Sequence, residues 1–304
     1  MMNVIRFAKD ADEAEILRSV RESNELFERN LCKLSETLES EPTLRFLGLT
    51  GPTCSGKTTA ARMLTERLEE KGHTVHVISV DDFFYEKSYL WSMVEPESGE
   101  QVDYDSEKTI DVGLFADCVE SLQKGKPVQL PHFNFLSGLR EPGVLLKPTK
   151  EDLFLFEGIQ ILYPRIDGIL PDDGYQSIYI APQSALEIGN DVFLPNDLRL
   201  LRRLVRDHLF RGASASFTLS LWKGVRENEE RNIFPYIGKC KYHVDSTMSF
   251  EIGVLKPYLE HALSRVKKSD PNVDTAKNLL KRLQPISAIS SEVIPEGTLY
   301  REFV

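Results

Sequence analysis

Cysteine is scarce in this sequence, and its four copies lie far apart. They stand at Cys32, Cys54, Cys118 and Cys240, and no two of them have the C-x-x-C spacing of a zinc or redox motif. We therefore expect neither a disulfide framework nor a structural zinc site. A reduced, cytoplasmic setting fits this cysteine usage.

Long apolar runs and an excess of positive charge are also missing. No run of about eighteen apolar residues occurs, the length that a membrane-spanning helix needs, and the segment Met1–Arg6 lacks the apolar core of a signal peptide. The 37 Lys and Arg residues stand against 47 Asp and Glu residues, for a formal net charge of −10. Because nucleic-acid backbones select basic surfaces, we expect no nucleic acid as a partner, and the missing apolar run predicts no membrane partner either.

What the sequence does contain is the phosphate-binding motif G-x-x-x-x-G-K-[ST]. Gly51 and Gly56 permit backbone angles that let successive N–H groups point at phosphate oxygens. Lys57 can reach the outer phosphates, and Thr58 offers a hydroxyl group to Mg²⁺. We predict that this loop binds a nucleoside triphosphate with Mg²⁺. Its residues are Gly51, Pro52, Thr53, Cys54, Ser55, Gly56, Lys57, Thr58 and Thr59.

The elements around the loop predict an α/β fold. Residues 44–50 form a short apolar run that predicts a buried strand, and residues 57–71 predict a helix that stops at Gly72. Further strands are predicted at 74–80, 152–156 and 176–181. Strands that alternate with helices predict a parallel sheet with helices on both faces.

The remaining helices are predicted at 12–41, 111–124, 196–211, 214–231, 250–266 and 272–283. The helix at 12–41 carries an apolar stripe that fits either a helix docked on the core or a coiled-coil contact, which leaves a homo-oligomer open. The length of 304 residues suggests one large domain or two modest ones. We expect an N-terminal helical extension at 1–43, a central nucleotide-binding domain at 44–250, and a C-terminal helical extension at 251–304 packed on it.

Six aromatic residues lie in the irregular stretches between the predicted strands and helices. Residues 86–108 predict a long functional loop, and short extended pieces at 127–131 and 143–148 predict a small β-excursion. The aromatic side chains there could stack on a nucleobase or line a minor core, and the sequence does not separate these readings. They are Phe83, Phe84, Tyr85, Tyr104, Phe133 and Phe135.

Two carboxylates follow predicted strands at the edge of the sheet where the phosphate loop lies. Asp81 follows the strand at 74–80, and Glu157 follows the strand at 152–156. Ligands of open parallel sheets bind beyond the carboxyl ends of the strands. Because Mg²⁺ prefers oxygen ligands, Thr58 and one or both carboxylates form the expected metal site. One carboxylate can also accept the proton of an attacking hydroxyl group.

Arginine is concentrated on one face of the predicted helix at 196–211. Arg199, Arg202, Arg203 and Arg206 share that face at helical spacing. Positive groups of this kind can surround a phosphate in transfer. The alternative is a solvated face whose charges pair with nearby acids.

Taken in order, these motifs resemble the uridine kinase and phosphoribulokinase family of P-loop kinases, and the pattern is similar to its bacterial uridine-kinase-like branch. The resemblance covers roughly residues 44–250. It implies a P-loop NTPase fold with a helical lid, and ATP-dependent phosphorylation of an alcohol group. The motifs that carry it are Gly51–Thr59, Asp81-x-Phe83-Phe84-Tyr85, Pro131-x-Phe133-x-Phe135, Phe156-Glu157-Gly158 and Arg202-Arg203-x-x-Arg206-Asp207 with Arg211-Gly212.

The resemblance also implies roles for single residues. Asp81 would be the base or hydroxyl-orienting residue, and Lys57 would hold the phosphates of ATP. Mg²⁺ would be held by Thr58, Asp81 and Glu157. The catalytic arginines of the lid would be Arg203, Arg206 and Arg211. The substrate contacts would be Asp81, Phe84, Asp103, Phe133, Phe135, Arg140 and Arg203.

The acceptor region departs from the family pattern. Uridine kinases typically carry Tyr-Asp-Phe followed by a histidine, where this chain has Phe133-Asn134-Phe135 and Gly138. A site that lacks polar contacts to its substrate also loses discrimination. The expected acceptor is the 5′-hydroxyl of a uridine- or cytidine-like nucleoside, with a phosphorylated sugar or a pantothenate-like molecule as the alternative.

A non-catalytic nucleotide sensor is an alternative of another class. In such a sensor we would expect another residue type at one of the four positions that bind phosphate, bind metal or accept the proton in these kinases. Lys57, Thr58, Asp81 and Glu157 are all in place.

Overall fold

Side chains alternate across the central sheet, and this alternation separates two hydrophobic cores. The computed structural model describes residues 2–93 and 106–304. In one central strand, Leu47 and Leu49 face the first core while Phe46 faces the second. Successive residues of a strand point to opposite faces, so a strand covered on both sides reads as a continuous apolar run.

The described residues form ten strands and nine α-helices. The strands are β1 (Val4–Phe7), β2 (Phe46–Thr50), β3 (Val75–Ser79), β4 (Val128–Asn134), β5 (Leu139–Leu146), β6 (Leu153–Glu157), β7 (Tyr175–Ala181), β8 (Ala185–Ile188), β9 (Asp191–Phe193) and β10 (Tyr242–Asp245). The helices are α1 (Glu13–Glu39), α2 (Lys57–Glu70), α3 (Lys87–Ser92), α4 (Val112–Gln123), α5 (Pro164–Asp167), α6 (Pro195–Arg211), α7 (Ala215–Asn232), α8 (Glu251–Leu263) and α9 (Val273–Leu283).

The main sheet is parallel and has five strands in the order β10-β7-β2-β6-β3. Strand β2, which leads into the phosphate loop, therefore lies in the middle. Strands β4 and β5 form a separate antiparallel hairpin. These features confirm the predicted α/β fold with a parallel sheet, helices on both faces and a small β-excursion.

Helix α1 docks on the first core, which is one of the two arrangements that its apolar stripe predicts. Its buried side chains, among them Phe27 and Leu31, lie in the same cluster as Leu47 of β2 and Leu255 of α8. Lys71, at the end of α2, binds Glu39 at 2.7 Å and joins the two helices at their surface. The segments before and after the central region thus share one core with it. The three-part division of the chain stays a prediction.

A second sheet was not predicted from the sequence. Strand β1 pairs in parallel with β8, and β8 pairs antiparallel with β9. The segment 1–43, predicted as helical, therefore includes strand β1 as well as helix α1. Each of these strands has only three or four residues. Val4 pairs with Ala185, which lies far from it in the sequence. Periodicity within a short window cannot reveal such a pairing.

Two smaller findings complete the fold. Helix α3 occupies part of the predicted 86–108 loop, and a 3₁₀ turn at Leu299–Glu302 closes the otherwise irregular end of the sequence. None of the helices within the described ranges combines the length and the apolar character needed to cross a membrane.

Candidate active site

The phosphate loop runs from the end of β2 to the start of α2 and is held in a narrow space. A Cβ atom at Gly51 would lie 1.9 Å from the carbonyl oxygen of Ile180 in β7, so only glycine fits there. Gly56 has a φ of 91°, in the left-handed region that favours glycine. Lys57 folds back over the loop and donates a hydrogen bond to the carbonyl of Pro52 at 3.2 Å. The loop therefore has the shape of an anion cradle at a helix N-terminus.

Three neighbouring strands bring the predicted phosphate, proton and metal groups to one edge of the sheet. Strand β6 lies between β2 and β3, and Glu157 at its end is in register with Ser79. Ser79 donates a hydrogen bond to Glu157 at 3.1 Å. Asp81 lies in the 3₁₀ turn Val80–Phe83 that follows β3, and it accepts a hydrogen bond from Gln160 at 3.0 Å. The structure thus places Asp81 and Glu157 beside Lys57, as their positions at strand ends predict.

Burial shifts the pKa values of these three groups toward their neutral forms. It lowers the pKa of Lys57, while the charges of Glu157, Glu302 and Asp81 raise it. Burial raises the pKa of Asp81, although the hydrogen bond from Gln160 and the charge of Lys57 lower it. Burial also raises the pKa of Glu157, and the charge of Asp81 adds to that shift. Two desolvated carboxylates so close together favour a bound cation.

The oxygen groups at this edge of the sheet fit Mg²⁺ better than they fit a metal ion that protein side chains alone must hold. Within residues 2–93 and 106–304, no group of three or more His, Cys, Asp or Glu side chains is arranged to hold a metal ion. Mg²⁺ commonly takes one or two carboxylates and completes its shell with waters and substrate phosphates. Asp81, Glu157 and the exposed Thr58 could supply such a partial set. Their assignment as ligands stays a prediction.

Two arginines of α6 are structural. Arg199 and Arg202 are buried, and each forms a bidentate ion pair, with Glu229 at 2.5 and 2.7 Å and with Glu251 at 2.7 and 3.0 Å. Each also donates a longer hydrogen bond, of 3.3 and 3.4 Å, to a backbone carbonyl within residues 53–54 of the phosphate loop. These two side chains pair with acids, as the alternative reading requires, but the pairs are buried and not solvated. Through the two carbonyl contacts they also support the phosphate loop.

The three predicted lid arginines lie nearer the surface. Arg203 and Arg211 bind Asp207 at 3.3 and 3.2 Å. Arg206 donates to the hydroxyl of Thr53 at 3.4 Å. Arg211 is 56 % exposed, and its charge lowers the pKa of Asp81, so it lies within electrostatic reach of the proposed reaction centre. Their catalytic role stays a prediction.

The aromatic cluster beside Asp81 is part core and part surface. The rings of Phe84, Phe133 and Phe135 meet edge to face, with centroids 5.0 to 6.1 Å apart. Phe84 and Phe133 are buried, whereas Phe135 is 65 % exposed. The first two therefore line a minor core, and Phe135 is the member of the cluster most open to a ligand. Asp103 and Tyr104 lie outside the described residues.

Polar residues near the aromatic cluster are engaged in local structure. Arg140 binds Asp111 at 2.9 Å. Asn134, which replaces the aspartate of uridine kinases, accepts hydrogen bonds from the backbone of Leu136 and Ser137 at 3.1 and 3.2 Å. Asn134 thus shapes the turn between β4 and β5, and Arg140 contacts a substrate only if its ion pair opens or shares its charge.

Two residues at the site were not predicted from the sequence. Gln160 is fully buried and donates to Asp81; its only sequence signal is its position three residues after Glu157. Glu302 accepts hydrogen bonds from the backbone N–H and the hydroxyl of Thr59, at 3.3 and 2.9 Å. No motif marks Glu302, because it lies 243 residues away from its partner.

A parallel sheet whose central strand leads into a phosphate loop at a helix N-terminus is the architecture of P-loop nucleotide-binding proteins. A model of the phosphoribulokinase / uridine kinase family matches residues 46–249, which is more than half of the chain. The chain therefore belongs to the phosphoribulokinase / uridine kinase family. This membership makes it a nucleotide-binding phosphotransferase of the kinase class.

Relatives with curated descriptions agree with this assignment. A uridine kinase of Staphylococcus epidermidis is 28% identical over 200 residues, which cover 66% of this chain and 84% of that protein. A uridine kinase of Clostridium novyi is 27% identical over 179 residues, covering 59% and 76%.

Solved structures show the same fold at lower identity. A candidate fructose transport system kinase from Silicibacter sp. TM1040 aligns with a TM-score of 0.53 at 20% identity, covering 70% of this chain and 98% of that one. YFH7 from Saccharomyces cerevisiae, a candidate P-loop kinase with a circular permutation, aligns with a TM-score of 0.50 at 14% identity, covering 73% and 98%. At these identities the likeness concerns the fold.

Proposed function

We propose that this protein transfers the γ-phosphate of ATP, with Mg²⁺, to an alcohol group of a small molecule, the 5′-hydroxyl of a uridine- or cytidine-like nucleoside. The observation that carries this proposal is the convergence of Lys57, Asp81 and Glu157 at the ends of three neighbouring strands. A phosphate cradle, a proton acceptor and a metal-binding carboxylate are the parts that phosphoryl transfer needs.

In this proposal Asp81 orients the acceptor hydroxyl and accepts its proton as the oxygen attacks the γ-phosphorus. The bond from the γ-phosphorus to the bridging oxygen breaks, and ADP leaves with that oxygen. Lys57 and the N–H groups of the loop hold the phosphates in line for this attack. Bound Mg²⁺ would neutralise phosphate charge, with Thr58, Asp81 and Glu157 to hold it.

The lid arginines would act on the same charge. Arg206 already contacts the phosphate loop, through the hydroxyl of Thr53. Arg203 and Arg211 share Asp207, and either side chain can move to a phosphate without leaving an unpaired buried carboxylate, because the other arginine stays. Positive groups that gather at the moving phosphate lower the barrier of transfer.

A second acceptor class is favoured by the hairpin. The side chain of Asn134 is committed to the turn between β4 and β5, so it does not present free polar atoms to a pyrimidine base. Phe135 offers a stacking surface, which any planar or apolar acceptor could use. A phosphorylated sugar or a pantothenate-like alcohol is therefore the alternative acceptor.

A coupled assay of ADP release, run over a panel of nucleosides, sugar phosphates and pantothenate, tests the function. We expect one acceptor to raise turnover well above background ATP hydrolysis. If no acceptor does so, the kinase proposal fails and the nucleotide-sensor alternative gains.

The substitution Asp81→Asn tests the role of the carboxylate. It should abolish transfer while ATP binding is retained, since the amide cannot accept the proton. Asp117→Asn, at an exposed position of α4, is the matched control and should keep full turnover. If Asp81→Asn loses ATP binding as well, the residue is chiefly a metal ligand or a structural group.

The cytoplasmic location and the homo-oligomer considered from the sequence stay predictions. Gel filtration with light scattering tests the second of them.

A further inference from the structure

The last turn of the described chain contacts the phosphate loop in a way that a substrate phosphate would. The carboxylate of Glu302 accepts two hydrogen bonds from Thr59, one from the backbone N–H at 3.3 Å and one from the hydroxyl at 2.9 Å. Both donors belong to the first turn of α2, the part of a P-loop that points N–H groups at phosphate oxygens. A carboxylate is the side-chain group that most resembles a phosphate in charge and acceptor capacity.

The positive charges of the site act on Glu302 as they would on a phosphate. The charge of Glu302 raises the pKa of Lys57. It also acts in the same direction on Arg206, which contacts the loop. Glu302 therefore lies inside the electrostatic field that the loop and α6 create for an anionic ligand.

The backbone that carries Glu302 is firmly anchored. Leu299, Tyr300 and Phe303 are fully buried, and a Cβ atom at Gly56 would lie 2.6 Å from Leu299. The guanidinium group of Arg202 lies 4.9 Å from the centroid of the Phe303 ring. This segment is thus part of the core behind the loop and not a loosely attached tail.

The side chain of Glu302 is only half-buried, in contrast to Leu299, Tyr300 and Phe303. It can therefore turn away from Thr59 by a rotamer change, while the backbone of residues 299–303 stays in place. The Glu302 carboxylate thus occupies the two donors of Thr59, and a rotamer change would release it.

We propose that Glu302 is an internal competitor of the nucleotide phosphates for Thr59, and so sets the affinity of the site for nucleotide. The inference rests on the proposed function, because it concerns the same phosphate loop. When nucleotide binds, the Glu302 carboxylate leaves Thr59 and becomes hydrated, and a phosphate oxygen takes over the two hydrogen bonds. The affinity measured for nucleotide is reduced by the free energy of that exchange.

The test compares Glu302→Gln with the wild-type protein in calorimetric titrations with MgATP and with inorganic tripolyphosphate. The amide keeps the shape of the side chain and one acceptor oxygen but removes the charge, so the segment stays docked. We expect Glu302→Gln to bind both ligands about tenfold more tightly, as removal of one like charge next to a phosphate implies. Glu302→Ala, which also removes the acceptor oxygen, should gain at least as much.

Glu296→Gln is the matched control. Glu296 lies in the same segment, is 87% exposed and pairs with Arg301 instead of the loop. Glu296→Gln also removes one negative charge, but away from the phosphate loop, and should leave both affinities unchanged. Thermal melting of each variant without ligand verifies that residues 299–303 remain packed.

The outcomes separate the inference from the proposed function. If wild-type protein binds MgATP and Glu302→Gln binds it no more tightly, the competition is overturned and the nucleotide site stands. If Glu302→Gln binds MgATP more tightly but tripolyphosphate no more tightly, the competition is also overturned, since the phosphates would not be the group that competes with Glu302. If neither protein binds MgATP, the proposed function fails and the inference fails with it.

Discussion

On the phosphate side of the site, formed by residues 51–59 and α6, buried charges are paired and the loop is packed from behind. On the proposed acceptor side, formed by the β4–β5 hairpin and Asp81–Tyr85, several apolar side chains remain exposed. Arg202 is completely buried in its ion pair, whereas Phe135 and Leu136 at the tip of the hairpin are 65% and 100% exposed.

This difference reflects what each side must recognise. A phosphate is recognised by backbone N–H groups and fixed charges, which require a rigid frame. An acceptor is recognised by side chains that match its particular shape and polar groups. The phosphate side can therefore be common to a family, while the acceptor side distinguishes its members. Substitutions on the two sides should therefore differ in what they impair.

Lys57→Ala should have the largest effect. Loss of the ammonium group from the phosphate side is expected to lower kcat/KM by about a thousandfold or more in the ADP-release assay, because positive charge at the phosphates carries much of the catalysis. Lys71→Ala, just after the end of the same helix and paired with Glu39 at the surface, should stay close to wild type. A drop of less than tenfold for Lys57→Ala would mean that the loop does not hold the reacting phosphates.

Arg202→Met should mainly reduce stability. It leaves Glu251 buried without its partner, which costs about 3–5 kcal/mol in the free energy of unfolding, measured by urea denaturation. Arg203→Met is the control, because its partner Asp207 keeps the ion pair with Arg211 and the hydrogen bond from Thr218. No buried carboxylate is left unpaired, so the loss should be smaller, about 1 kcal/mol. Equal losses in the two variants would contradict the division of the arginines into structural and lid groups.

The hairpin should separate stability from acceptor binding. Phe133→Ala removes a buried ring and is expected to cost about 3 kcal/mol of stability. Phe135→Ala removes an exposed ring, so we expect a stability change within about 0.5 kcal/mol and a raised KM for the acceptor only. If Phe135→Ala leaves that KM unchanged, the exposed ring is not an acceptor contact.

Gln160→Leu should have the smallest effect, a shift in pH dependence. The hydrogen bond from Gln160 lowers the pKa of Asp81 and stabilises its ionised form, so its loss raises that pKa. In the proposed reaction, transfer needs the ionised carboxylate and is lost as the pH falls through its pKa. The acid limb of the kcat/KM profile should therefore move to higher pH, by up to about one unit.

Gln123→Leu, at an exposed position of α4, is the control for the pH profile and should leave the limb in place. A shift of the Gln160→Leu limb to lower pH would show that Asp81 is not the group that titrates.

Local patterns in the sequence predict the parts of the site that are built locally. The loop at Gly51–Thr59 depends on spacing along the chain, and Asp81 and Glu157 depend on where buried strands end, so both could be predicted. The sequence predicts that arginines gather on α6, but not that Arg202 pairs with Glu251. Contacts such as that of Glu302 with Thr59 leave no local signal, because only the packed tertiary structure brings the two residues together.

The position of β2 in the middle of the sheet has a consequence for hydrogen exchange. Every residue of β2 is buried, and β6 and β7 pair with it on both sides, so its amides should exchange only through opening close to global unfolding. The hairpin, paired with no other strand within the described ranges, should exchange through local opening at lower cost. With increasing urea, acceptor binding should therefore weaken before nucleotide binding does, and the protein would retain a folded nucleotide site after its acceptor site has begun to open.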